Sequence, residues 1–229
     1  MKYLIVNGDD FGASHGINRG MLEAHRRGIL TSASLLVNTP ASEEAAALSR
    51  TVPDLSVGLH ADVRRELSIS DGVSCPELRA ALRGQFARFQ ELMGRPPTHL
   101  DSHHNTHRDP RALPYFLELA HEHGLSLREH SPVRYFSKFY GRWKGETHLE
   151  QISEQNLARM LVEEIEDGFT ELSCHPGYVD PDYPSGYTVE REAELRALCA
   201  PRVRRVLLDE SIQLVNYRDA GKLLELAPG

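Results

Sequence analysis

Short apolar runs and helical stretches alternate along the whole chain. Lys2–Asn7 is a compact apolar run, followed by Gly12–Gly16 and a stretch with Ile17, Met21 and Ala24 on one helical face, which Gly28 is placed to end. Ser32–Val37 reads as the second strand, and Ser42 is expected to cap an Ala-rich helix with Glu43 and Glu44 in its first turn. Leu55–His60 is the third strand. After a polar loop containing Asp71-Gly72, Pro76 opens a helix running to about Met93. Thr98–Asp101 is the fourth strand. Asp109-Pro110 is expected to start the next helix, with Leu113, Phe116, Leu117 and Ala120 along it and Gly124 at its end. Leu125–Arg128 is a short fifth strand.

Glu129–Glu150 breaks this rhythm and reads as a long loop rich in aromatics, with Tyr135, Phe136, Phe139, Tyr140 and Trp143. Loops of that length inside a compact domain are usually functional. Ser153 then caps a helix with Leu157, Leu161, Val162 and Ile165 in register, and Asp167-Gly168 turns into the strand Phe169–Cys174. A loop from His175 to Tyr187 precedes a helix bearing Leu195 and Leu198. Pro201–Glu210 is helical, Ile212–Val215 is the last strand, and a short helix closes the chain. About seven strands, each followed by a helix, imply a parallel sheet with right-handed crossovers. At 229 residues the expected architecture is α/β, a distorted (β/α) barrel forming a single domain over residues 1–229.

The net charge of −7 comes from interspersed acids and bases. Such a surface repels phosphate backbones, which argues against nucleic acid as a partner. Three cysteines, Cys75, Cys174 and Cys199, with no CxxC spacing, supply neither a disulfide framework nor a thiolate zinc site. The apolar run at the N-terminus is too short for a signal-peptide core or a membrane span. A reducing, cytoplasmic setting is expected, without membrane attachment.

The chemistry gathers where the strands end. Asn7-Gly8-Asp9-Asp10, Leu59-His60-Ala61-Asp62, Asp101-Ser102-His103-His104-Asn105-Thr106-His107 and Cys174-His175-Pro176-Gly177 each follow an apolar run. Groups at the carboxyl ends of parallel strands converge on one rim. Two His and an Asp brought together there make a divalent-metal site of the hydrolytic kind. Adjacent carboxylates such as Asp9 and Asp10 repel unless a cation or proton lies between them. A metal held by one leaves the other free to accept a proton. His103 and His107 have the i, i+4 spacing to share one face of a turn. Pro176 and Gly177 fix the chain just after His175. Asp10-Phe11-Gly12 and His107-Arg108-Asp109 mimic kinase triplets, but in the wrong order and without a glycine-rich loop or strand lysine. Arg191, within Glu190-Arg191-Glu192, reads as an exposed helix charge, with tuning of a carboxylate as the alternative. Tyr178, Tyr183, Tyr187 and the aromatic loop suit either sugar stacking or a subunit contact in a homo-oligomer such as a dimer.

Leu4-Ile5-Val6-Asn7-Gly8-Asp9-Asp10-Phe11-Gly12, Thr31-Ser32-Ala33-Ser34-Leu35-Leu36-Val37-Asn38, Gly58-Leu59-His60, Pro97-Thr98-His99-Leu100-Asp101-Ser102-His103 and His175-Pro176-Gly177-Tyr178-Val179-Asp180 resemble the YdjC-like carbohydrate deacetylases. That family includes chitooligosaccharide deacetylases, and the resemblance spans nearly the whole chain in consistent order. It implies a distorted barrel and metal-dependent removal of N-acetyl groups from amino sugars. On the family pattern Asp10, His60 and His103 hold the metal, Asp9 is the general base and His175 the general acid. Asn38 and Tyr178 within these motifs, and His104 and His107 just beyond one of them, are the candidate substrate-binding residues. The resemblance implies Mg²⁺, whereas two imidazoles and a carboxylate suit Zn²⁺, Co²⁺, Ni²⁺ or Fe²⁺ on intrinsic affinity. The chain departs from the pattern at Asn105, often His in the family, at Ala61-Asp62, and in a short segment between His60 and His103. These departures bear on substrate size. A metal-dependent phosphoesterase or amidohydrolase on a similar barrel, and a non-catalytic metal- and sugar-binding barrel, are the competing readings.

Overall fold

The computed structural model describes residues 1–69, 76–181 and 183–226. Its elements run β1 (Lys2–Phe11), α1 (His15–Arg27), β2 (Ser32–Leu35), α2 (Ser42–Ser49), β3 (Ser56–Ala61), α3 (Arg64–Ile69), α4 (Pro76–Met93), β4 (His99–Ser102), α5 (Leu113–His123) and β5 (Ser126–Leu127). Then follow β6 (Arg134–Phe136), β7 (Arg142–Trp143), β8 (Glu146–Thr147), α6 (Glu154–Glu164), β9 (Gly168–Cys174), α7 (Val189–Leu198), α8 (Pro201–Asp209), β10 (Ile212–Leu214) and α9 (Tyr217–Leu226).

The main sheet has the order β5-β4-β3-β2-β1-β9-β6, and β10 joins the first residues of β1. Each of its ladders is parallel. In a flat sheet β5 and β9 would stand about 24 Å apart, at roughly 4.8 Å per strand. Yet Arg128, just past β5, donates to Glu171 on β9 at 2.5 Å. The sheet is therefore curled into a distorted barrel. Among the described residues β5 and β6 form no ladder with each other, so the barrel stays open on that side.

Strand alternation divides the buried residues into two populations. Leu4, Val6, Ala33, Leu35, Val57, Leu59, Ala61, Leu100 and Leu172 point outward into one core with Ile17, Met21, Phe86, Leu161 and Leu198 of the surrounding helices. On the inner face, Ile5, Tyr3 and Phe169 pack with Tyr217, Ala220, Leu223 and Leu224, so that α9 plugs one end of the barrel. Further along the same inner face the residues are polar. Asn7, Asp9, Ser34, His60, Asp101 and Glu171 are all buried. Their charges and hydrogen bonds, rather than apolar layers, fill the barrel above α9.

Several elements depart from the sequence reading. β1, β3 and β4 run on through Asp9-Asp10, Ala61 and Ser102. The aromatic loop contains a sheet strand, β6, and the separate antiparallel hairpin β7–β8. Ser42 is not the cap of α2 but its first residue, its hydroxyl donating back to the Leu36 and Thr39 carbonyls. Asp109 folds over Arg111, whose backbone N–H it accepts at 2.9 Å, and α5 starts only at Leu113. Asp71-Gly72 and Cys75 lie outside the described residues. Among those described, no helix is long and apolar enough to cross a membrane.

Candidate active site

Neighbouring residues of a regular strand face opposite sides of the sheet, so Asp9 and Asp10 should diverge. A break in the register of β1 against β2 between Gly8 and Phe11 prevents this. Asp10 takes a left-handed backbone with φ 72°, a conformation Asp tolerates better than most residues. Both carboxylates consequently open into one cavity of about 740 Å³, together with His60, His103, His175 and Arg191.

Asp10 Oδ2 accepts from Arg191 at 2.6 Å. Asp10 Oδ1 is buried with no hydrogen-bond partner, and lies 3.4 Å from His60 Nε2 and 3.6 Å from His103 Nε2. Ligand atoms about 2.0–2.2 Å from a common ion stand roughly 3.0–3.6 Å apart, and Asp10 Oδ1 stands at such a spacing from each of the two imidazole nitrogens. Each imidazole has a carboxylate behind it. His60 Nδ1 is 2.7 Å from Asp101, and His103 Nδ1 is 3.3 Å from Asp62. An Nδ1–H donated to a carboxylate leaves the Nε2 lone pair free for a metal, the usual outer arrangement of metal-binding histidines. Among the described residues, the ligand atoms of Asp9, His60 and Asp101 all lie within 4.8 Å of one another. There the Arg128 guanidinium occupies both oxygens of Asp9 and contacts Asp101, whereas Arg191 takes only Oδ2 of Asp10 and leaves Oδ1 open.

The carboxylates and imidazoles of this pocket shift one another's titration. Although burial favours its neutral form, Arg191 and His60 hold the Asp10 carboxyl well below the usual carboxylate range. Burial also disfavours a charged His60, but Asp101, Asp9 and Asp10 outweigh it and lift this imidazole to about 10.

Arg128 anchors the barrel interior. It donates to both oxygens of Asp9 at 2.8 Å, contacts Asp101 Oδ2 at 2.8 Å and donates twice to Glu171. Glu171 accepts in turn from the Tyr217 hydroxyl of α9 at 2.5 Å. Asn7 Nδ2 adds a third hydrogen bond to Asp9, at 2.9 Å. The Asp9 carboxylate is thus fixed in orientation, with Oδ2 4.0 Å from His175 Nε2.

His175 follows β9 in a loop locked onto α1. A side-chain carbon on Gly20 would lie 2.4 Å from Gly177 Cα, so close approach here requires glycine. Tyr178 N–H donates to the Gly16 carbonyl at 3.0 Å. The backbone N–H of His175 donates to the buried Glu194, which also accepts from the Tyr187 hydroxyl. His175 Nδ1 is buried, without a hydrogen bond, 4.0 Å from Glu194 Oε1. Burial lowers His175 to about 4 and raises Glu194 to about 8.

The profile described as YdjC-like protein matches residues 3–209 of this chain. The chain belongs to the YdjC-like family. It is 36% identical to a carbohydrate deacetylase of Geobacillus stearothermophilus, across 97% of this chain and 99% of the relative. It is 34% identical to a chitooligosaccharide deacetylase of Serratia marcescens, across 95% and 99%. A solved structure of a proposed cellobiose-phosphate cleavage protein from Enterococcus faecalis V583 superposes with a TM-score of 0.78 at 28% identity, covering 95% of this chain and 98% of that one.

In this YdjC-like chain, Asp9, Asp10, His60, His103, His104 and His175 all border the cavity. The other three expected substrate contacts do not. His107 is buried between Ser102 (2.6 Å) and Glu129 (3.1 Å), because His104 and Asn105 are left-handed and break the helical turn that would align it with His103. Asn38 is exposed beyond β2, away from the cavity lining. Tyr178 turns outward, its hydroxyl on Glu23 at 2.5 Å and its ring under Arg19. Arg191 is buried on Asp10, which overturns its reading as an exposed charge. Arg128, Glu171 and Glu194 are left out of the candidates read from sequence, and Asp101 is included as the head of its motif without a role of its own. For Arg128 and Asp101 a signal existed, since each closes a short apolar run as His60 does.

Proposed function

We propose that this YdjC-like protein is a metal-dependent carbohydrate N-deacetylase that hydrolyses the acetamide of an amino sugar or short chitooligosaccharide. The observation that carries the reading is the unpartnered Asp10 Oδ1 facing two imidazole Nε2 atoms, beside Asp9 and His175, whose Oδ2 and Nε2 stand 4.0 Å apart on the same cavity. Asp10, His60 and His103 would hold a divalent ion, Mg²⁺ or a transition metal such as Zn²⁺. Such an ion supplies Lewis-acid polarisation of the acetamide carbonyl and acidifies water at the site.

The protein's own groups do the proton work. Asp9, clamped by Arg128 and Asn7, presents Oδ2 to take a proton from the attacking water. The water oxygen joins the carbonyl carbon, the C–N bond breaks, and acetate and an amine separate. An amine leaves only when protonated, and His175 Nε2 is the donor that faces Asp9 across the gap. Glu194 lies behind the other ring nitrogen and keeps a proton at neutral pH. At neutral pH the pair therefore retains one proton, held on Glu194 4.0 Å from the ring nitrogen, and His175 would take it up on closer approach in the substrate complex. The names of the relatives support the same substrate class.

The test is direct. Purified protein is incubated with N,N′-diacetylchitobiose and single divalent ions, and acetate and free amine are measured with and without a chelator. Release in equal amounts, abolished by chelation, is expected. No acetate with any ion would remove the reading.

A further inference from the structure

The cavity wall beside His175 carries an aromatic pair that the proton chemistry leaves unused. Tyr140 and Tyr187 lie face to face, with ring centroids 4.9 Å apart and planes 2° from parallel. Tyr187 is only 7% exposed, whereas Tyr140 is 39% exposed and borders the cavity. One face of Tyr140 is therefore covered, and what remains open lies along the cavity. The same ring meets His175 edge-on at 5.5 Å.

One hydrogen-bonded frame holds both residues. Gly141 N–H donates to the Tyr187 hydroxyl at 2.9 Å, that hydroxyl donates to Glu194, and Glu194 accepts from His175 N–H. A side-chain carbon on Gly141 would lie 2.5 Å from Ile152 Cδ1, so glycine lets the backbone after Tyr140 approach this closely. The position of Tyr140 is thus tied to that of His175. Two other aromatics of the same segment are already committed. Tyr135 lies against the Arg128 guanidinium at 4.8 Å, and Trp143 lies flat on His148 at 3.5 Å.

We infer that Tyr140 is a stacking platform for the pyranose ring whose nitrogen receives the proton from His175. The inference deepens the deacetylase reading and rests on it. That nitrogen must come within about 3 Å of His175 Nε2. Its sugar ring is then confined to roughly one ring's width from the imidazole, the distance at which Tyr140 stands. A pyranose turns a face of C–H groups toward the electron-rich face of an aromatic ring, while its hydroxyls stay directed at polar neighbours.

The test separates binding from turnover. Affinity for N,N′-diacetylchitobiose is measured by titration calorimetry on the metal-loaded protein, with Asp9→Asn present to suppress hydrolysis. Adding Tyr140→Phe should change affinity by less than about 2-fold, and adding Tyr140→Ala should weaken it roughly 10-fold. In the active enzyme Tyr140→Ala should raise KM more than it lowers kcat. Tyr140→Leu, which keeps apolar bulk against Tyr187, carries the comparison if the alanine variant misfolds by circular dichroism. Unaltered affinity in the alanine or leucine variant would overturn the platform, as would a parent that binds no sugar. A parent that binds the sugar while the enzyme releases no acetate removes the deacetylase reading and with it the assignment of the stacked ring, whereas acetate release with unaltered affinity removes the platform alone.

Discussion

Asp9 and Arg128 meet as a two-pronged pair, each carboxylate oxygen accepting a different guanidinium nitrogen at 2.8 Å. They lie 119 residues apart in sequence, and both are buried. The same guanidinium holds Asp101 and Glu171, so it fixes the proposed base and neutralises the barrel interior together. Arg128→Met would strand these acids without a cation. Removing one partner of a buried ion pair costs roughly 3–5 kcal/mol, and this variant should be destabilised by about that much in urea unfolding at pH 7. Asp101 is held below the usual carboxylate range despite burial, chiefly by Arg128 and then His60. Its contribution is therefore present at neutral pH and is lost as pH falls through the acid range. The gap between variant and wild type should narrow in acid. A gap that stays constant with pH would contradict this assignment.

Metal binding and proton donation should separate by mutation. Asp10→Asn and His60→Ala each alter an atom of the proposed ion site, and both metal content and acetate release should disappear. His175→Ala leaves that site intact. It should retain metal by elemental analysis and lose roughly 10²–10⁴-fold in kcat, the usual size of an acid–base contribution. An alanine variant with full turnover would exclude His175 as the acid.

Glu194 makes the proton supply testable by pH. His175 lies near 4 and Glu194 near 8, so their pair retains one proton between those limits. Wild-type kcat/KM should decline on the alkaline side near pH 8. Glu194→Gln removes the proton store, and its decline should move to lower pH while metal content stays unchanged. Stability gives an independent reading. Because the folded-state value of Glu194 is raised from its ordinary 4.5 to about 8, its stabilisation is complete below 4.5 and is lost as pH rises through 8. The glutamine variant should lack that falling component in unfolding measured at pH 5, 6.5 and 8.

Much of this arrangement could be read from the chain, and the exceptions have physical causes. Polar groups closing short apolar runs identified the rim at Asp9-Asp10, His60, Asp101-His103 and His175, because parallel strands point their carboxyl ends the same way. The i, i+4 reading of His103 and His107 failed because two left-handed residues intervene, and nothing in their spacing announces it. Arg191 and Glu194 were more accessible. With Leu195 and Leu198 they occupy positions i, i+3, i+4 and i+7 of α7, so charged residues share the face of buried leucines. That coincidence distinguishes a buried ion pair from a solvated helix surface. The strand β6 had no such signal, since three residues at a sheet edge are too few to show a period.

Asp62 supplies the last prediction, at a position where the chain departs from the family pattern. Its Oδ2 lies 3.3 Å from His103 Nδ1, while Arg64 grips both of its oxygens at 2.6–3.1 Å. His60 has the buried Asp101 in the equivalent place, but His103 depends on this half-exposed pair at the cavity rim. A carboxylate behind a metal-binding imidazole fixes its ring and raises its basicity, and losing one usually costs 10–100-fold in metal affinity. Asp62→Asn keeps the side-chain shape but removes the charge. Titration calorimetry with Zn²⁺ on chelator-stripped protein should show a loss in that range, with one ion still bound per chain. Arg64→Gln leaves the carboxylate free to face His103 and should change affinity far less. Equal affinities for wild type and Asp62→Asn would mean that His103 is oriented by other contacts.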